Sequence, residues 1–118
     1  MTTHAADYYQ NNAAATKPVR EQMGETVKAF GGLHLAAMHA GALSTREKEL
    51  IALGIGIATR CEPCIYSHVR AAVKAGADRA QVLETAGVAV MMSGGPGYTY
   101  LPRVVEALDA LKERGEME

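Results

Sequence analysis

The sequence predicts an all-α fold, a single orthogonal or bundle-like domain of five or six helices spanning residues 1–118. Three observations carry this expectation. Apolar residues recur at helical intervals in several segments, as at Leu101, Val104, Val105, Leu108 and Leu111, with Arg103, Glu106, Asp109 and Glu113 on the other faces. Ser44-Thr45-Arg46-Glu47 and Asp78 with Gln81 have the form of capping boxes, in which a side chain at each end satisfies the other's backbone N–H. No alternating strand pattern, internal repeat or low-complexity block interrupts them.

Residues 1–17 mix Tyr8, Tyr9, Gln10, Asn11 and Asn12 with short alanine runs, show no clear period, and read as an arm that docks on a neighbour. Pro18 is the expected start of the next helix, since proline is tolerated in a first turn. That helix places Met23, Val27, Phe30, Leu33 or His34, and Met38 at helical intervals, is weakened at Gly31-Gly32, and ends at Gly41. From Ser44 to about Thr59 the chain is apolar nearly all round, so this helix should be the central and most buried one. A helix beginning near Glu62 ends at Gly76, and another from Asp78 to about Ser93 turns Val82, Leu83, Ala86, Ala89 and Val90 inward. Gly94-Gly95-Pro96-Gly97 then breaks the chain before the last helix, and Gly115–Glu118 is expected to fray.

Composition narrows the function classes. A net charge of −1 removes the usual electrostatic motive for nucleic-acid binding. No apolar run is long enough to span a membrane and the polar opening is no signal peptide, so the expected location is the cytoplasm. In a reducing compartment two cysteines at close spacing point to catalysis, redox exchange or metal binding before a structural staple. With one phenylalanine and no tryptophan the core of a monomer would be thin, which argues for a homo-oligomer.

Chemistry concentrates between Glu49 and His68, in ELIALGIGIATRCEPCIYSH. With Pro63 in the first turn, Cys61 caps a helix and Cys64, Ile65, His68, Val69 and Ala72 share a stripe with it. Free N–H groups of a first turn favour thiolate over thiol, and an imidazole one turn beyond Cys64 is placed to take its proton. Cys61 is close enough to close a disulfide. Glu49 lies in an apolar run, where partial burial suits a carboxyl to proton transfer. A straight helix would leave it roughly 18 Å from Cys61. The chain must therefore turn near Thr59–Glu62 and run back antiparallel.

Plainer readings exist for each residue. Cys61, Cys64 and His68 with Glu49 could hold a zinc ion, or the thiols could be inert core groups. His68 could be a satisfied core histidine, and Glu49 a surface partner of Arg46. Tyr66 either lines the site or packs. His34 and His39 carry no assigned role, Met91 and Met92 read as core or interface filling, and GGPG lacks the lysine and preceding strand of a phosphate loop.

Taken together, Glu49, eleven intervening residues, Cys61-x-x-Cys64, three more and His68, set in KELIALGIGIATRCEPCIYSHVRAAVKAGA, resemble the alkyl hydroperoxidase D-like branch of the carboxymuconolactone decarboxylase family. The likeness is strongest from Gly41 to about Gly97. It implies an all-helical fold, a trimeric or hexameric assembly, and thiol-dependent reduction of a peroxide or small disulfide without cofactor or metal, an external dithiol restoring the enzyme. By the same resemblance Cys64 attacks, Cys61 resolves, and Glu49 with His68 relays protons. Pro63 stands where the best characterised peroxidase members carry a histidine, a departure that bears more on peroxide as substrate than on dithiol chemistry. The family also contains lactone decarboxylases that work by acid–base groups, which is the rival reading. A metal-binding oligomeric scaffold is the third.

Overall fold

In the computed structural model, which describes residues 2–118, the order is α1 (His4–Gln22), α2 (Gly24–Met38), α3 (Thr45–Ala58), α4 (Glu62–Lys74), α5 (Arg79–Ser93), the single turn α6 (Gly95–Tyr98) and α7 (Leu101–Glu113). Among the described residues there is no strand, and no helix is long and apolar enough to cross a membrane. Both expected capping boxes form. The Ser44 hydroxyl accepts from Glu47 N–H at 3.0 Å and Ser44 N–H donates to the Glu47 carboxylate at 2.9 Å, while Asp78 and Gln81 repeat the exchange at 2.8 and 3.1 Å.

α3 and α4 form an antiparallel pair at the centre, with α5 packed mainly on α3, α7 mainly on α4, and α5 and α7 meeting through Arg79 and Asp109 at 2.9 Å. Leu53, Ile57, Ile65, Val69, Val82, Val104, Leu108 and Leu111 are fully enclosed between them. Burying a side chain of this size is worth about 1.5–3 kcal/mol, so this layer supplies most of the drive to fold.

The N-terminal region departs from expectation. Residues 4–22 are a helix rather than an arm, begun by the Thr3 side chain, which accepts from Ala6 N–H at 3.1 Å. What fixes it is tertiary. Ala5 and Tyr9 are buried, and the Tyr9 hydroxyl donates to the Tyr66 carbonyl at 2.6 Å. Pro18 lies inside α1 rather than at a helix start; it sits on an exposed stretch, where a carbonyl freed by the missing N–H can take water instead. The break falls at Met23, whose φ of −128° and ψ of 40° leave the helical region, and Gly31-Gly32 run through α2 without interruption.

Three other expectations are corrected by burial. α2 has no buried residue, and Phe30 and Leu33, on the apolar face of the expected amphipathic helix, are 68% and 64% exposed. α3 is central but not enclosed all round, since Ile51 and Ile55 lie open on the side away from Leu53 and Ile57. On α5, Val82, Ala86 and Ala89 point inward as expected, whereas Leu83 is exposed along with Val88, Met91 and Met92. The chain end is held rather than frayed: Glu116 accepts from Arg70 at 2.7 and 3.1 Å and from Arg114 at 2.8 Å, and Met117 packs against the core. Gly115, at φ 74°, makes the turn that brings Glu116 N–H to the Leu111 carbonyl at 2.9 Å.

Candidate active site

The turn between α3 and α4 is tight. Arg60 adopts φ 57°, a left-handed conformation unusual for a residue with a Cβ, and Cys61 N–H donates to the Gly56 carbonyl at 2.9 Å. The chain therefore reverses within Thr59–Cys61. Gly56 permits the close approach: a Cβ there would meet Cys64 Cβ at 3.1 Å and its carbonyl carbon at 3.6 Å. No signal in a single sequence distinguishes this glycine from Gly54, whose added Cβ would meet only a Thr85 methyl at 3.8 Å.

Cys61 is the N-cap of α4, with Pro63 in its first turn. The two cysteines are joined as a disulfide, their Cα atoms 5.2 Å apart. Cys64 N–H points at the Cys61 sulfur at 3.3 Å. One of the orphan donors of the helix start is thus satisfied by that sulfur, which places Cys61 at the cap and Cys64 inside the first turn.

Antiparallel return of α4 brings Glu49 and His68 together, Oε2 to Nδ1 at 2.7 Å. Glu49 is 4% exposed, and His68 is partly open to solvent. This contact replaces the surface pairing with Arg46 as the plain reading of Glu49. A carboxylate can only accept, so with Glu49 ionised the proton lies on Nδ1 and Nε2 is the nitrogen left to exchange a proton. His68 and Cys64 are one turn apart on α4, on the stripe that faces α3. All four singled-out residues thus fall at one junction, the α3–α4 hairpin.

Around it lies a second set of groups that the spacing does not announce. Glu62, between the cysteines, accepts from the Tyr66 hydroxyl, meets His4 Nδ1 at 2.7 Å, and lies 3.4 Å from Arg103. Only the Glu62–Tyr66 pair, four residues apart on a helix, was open to sequence reasoning. For the metal reading, among the described residues no group of three or more His, Cys, Asp or Glu side chains is arranged to hold an ion.

The carboxymuconolactone decarboxylase family model matches residues 24–113, which include the whole hairpin and the helices on both sides of it. The chain belongs to the carboxymuconolactone decarboxylase family. A solved family member from Legionella pneumophila is 38% identical, with a TM-score of 0.73 over 93% of each chain. A Thermotoga maritima family protein, suggested to take part in an antioxidative response, is 30% identical, with a TM-score of 0.71 over 77% of this chain and 94% of its own. Among curated relatives, an uncharacterised protein of the cox locus in Paracoccus denitrificans is 32% identical over 107 residues, 90% of this chain and 96% of that one. Membership agrees with the helical architecture, and the alkyl hydroperoxidase D-like pattern of the hairpin is consistent with it.

Proposed function

We propose that this family member is a thiol-dependent oxidoreductase that reduces a peroxide or a small disulfide through Cys61 and Cys64. The observation that carries the reading is the Cys61–Cys64 disulfide at the head of the helix that also presents His68 to the buried Glu49. In the dithiol form His68 takes the Cys64 proton while Glu49 stabilises the imidazolium. The Cys64 thiolate attacks a peroxide oxygen, the O–O bond breaks, an alcohol leaves with a proton, and Cys64 becomes a sulfenic acid. Cys61 then attacks that sulfur, water leaves, and the disulfide closes. With a disulfide substrate the intermediate is a mixed disulfide on Cys64, and two thiols leave in turn. An external dithiol reverses the oxidation by exchange.

Counting thiols tests this. One equivalent of oxidant should consume both thiols of the reduced chain and leave no sulfinic acid; hydrogen peroxide, an alkyl peroxide and a small disulfide run in parallel name the preferred class. Thiols that survive all three oxidants would sink the proposal. Decarboxylase activity persisting in a Cys61→Ser, Cys64→Ser double variant would move the chemistry to acid–base groups, the rival within the family.

The assembly we propose is a homo-oligomer. The chain exposes 7472 Å², whereas a monomer of this mass exposes about 6,200 Å². An excess of about 1,300 Å² is larger than the roughly 800 Å² each partner of a stable interface contributes. Exposed apolar side chains that such an interface would cover stand on α2, with Phe30, Leu33 and Leu35, and along the α3–α5 groove lined by Leu50, Ile51, Ile55, Val88 and Met92. Sedimentation at micromolar concentration should give one multimeric species, and Ile55→Glu should reduce it to smaller ones. A single 12.5 kDa species in the parent would contradict the assignment.

A further inference from the structure

We propose that Glu62 tunes the Cys61–Cys64 couple: its carboxylate is a fixed negative charge in the first turn of α4 that disfavours a thiolate there and holds the equilibrium toward disulfide. The inference rests on the redox reading above. Glu62 directly follows Cys61 and lies two residues before Cys64, within the one helical turn whose free N–H groups favour anions. Carboxylate and thiolate draw on the same field of the helix start, and a fixed negative charge on the residue between the cysteines makes a thiolate there costlier.

Fixation is what separates Glu62 from an ordinary solvated acid. Groups from three helices converge on it: Tyr66 of α4 through its hydroxyl, His4 of α1 at 2.7 Å and 58 residues away in sequence, and Arg103 of α7 at 3.4 Å. The Tyr66 hydroxyl, followed by His4, holds the carboxyl below the usual carboxylate range, so it stays charged through neutral pH. Arg103 does not neutralise it alone, because its guanidinium also serves Glu106 at 3.1 Å. The local charges are thus Glu62 and Glu106 against Arg103 and, when protonated, His4. A purely structural clamp tying α1 and α7 to α4 is the competing account. An amide can keep much of such a clamp, and only the charge acts on sulfur.

The test equilibrates the full chain with reduced and oxidised glutathione, quenches by alkylation, and reads the dithiol fraction by mass. Here two glutathione thiols are oxidised to their disulfide for each protein disulfide reduced. Glu62→Gln should shift the equilibrium constant roughly threefold to tenfold toward dithiol, tenfold being about 30 mV, and lower the pH at which Cys64 is half alkylated. Arg103→Gln, which leaves the carboxylate less compensated, should shift both readings the opposite way and keeps the inference testable should Glu62→Gln fold poorly. Parental values in both folded variants would overturn the inference and leave the redox reading intact. A parent that fails to exchange with glutathione would overturn both.

Discussion

Replacing Cys64 with serine lowers turnover by at least about 10³-fold, the scale on which loss of a nucleophile acts. The hydroxyl that remains is far too weakly acidic for His68 to ionise at neutral pH, so the pair loses its function although its geometry survives. Cys61→Ser behaves differently. It still attacks once, and mass analysis should find the first intermediate stranded on Cys64, as a sulfenic acid from a peroxide or a mixed disulfide from a disulfide substrate. Equal loss of first-turnover reactivity in both variants would show that the two sulfurs are not distinguished by His68. The asymmetry follows from placement: Cys64 lies one helical turn before His68 on the same stripe, whereas Cys61 stands at the cap, a further turn away from the imidazole.

Gly56→Val lowers stability by about 1–3 kcal/mol, in the range for overpacking a tight contact. At about 4–8 °C per kcal/mol for a small domain, the melting temperature drops by several degrees or more. A Cβ at this position already meets Cys64 Cβ at 3.1 Å, and the second atom within reach is backbone, which cannot rotate aside. The branches of valine therefore push α4 away from α3, and the Glu49–His68 contact of 2.7 Å across that interface should lengthen with it. Gly54→Ala is the control on the same helix. Its added methyl finds ordinary contact with Thr85 at 3.8 Å, and the gain in helix propensity, about 0.8–1 kcal/mol, should leave the protein as stable as the parent or more so. Equal melting temperatures for the Gly56 and Gly54 variants would remove Gly56 as the reason the hairpin closes.

Much of this arrangement is legible in the sequence because it is local. The N-cap cysteine, the proline after it, the i,i+4 placement of Cys64 and His68, both capping boxes and the glycine at 76 all depend on spacing within one or two turns. The return of Glu49 to His68 needed only one further step, the recognition that a straight helix leaves them apart.

What escaped is settled by distant partners. α1 shows no period worth reading, yet Tyr9 and His4 anchor it to α4 through the Tyr66 carbonyl and the Glu62 carboxylate. Glu116 is tied down by Arg70, 46 residues earlier. Periodicity identifies an apolar face without saying what covers it, which is why Leu83 reads as inward, Phe30 and Leu33 read as one apolar face, and all three lie outward in a single chain. The same ambiguity explains α3. An apolar run can mean burial in its own domain or in a neighbour, and Ile51 and Ile55 are open where Leu53 and Ile57 are closed.

The central claim is that one sulfur of this hairpin is made reactive by the imidazole and carboxylate beside it. Its most direct measurement is the alkylation rate of each thiol in the reduced protein against pH, resolved by peptide mass, in the parent and in Glu49→Gln. The account predicts a Cys64 midpoint well below the roughly 8.5 of a free thiol, a slower Cys61, and a Cys64 midpoint that rises in the variant. Two equal midpoints at the free-thiol value, unchanged by Glu49→Gln, would contradict it.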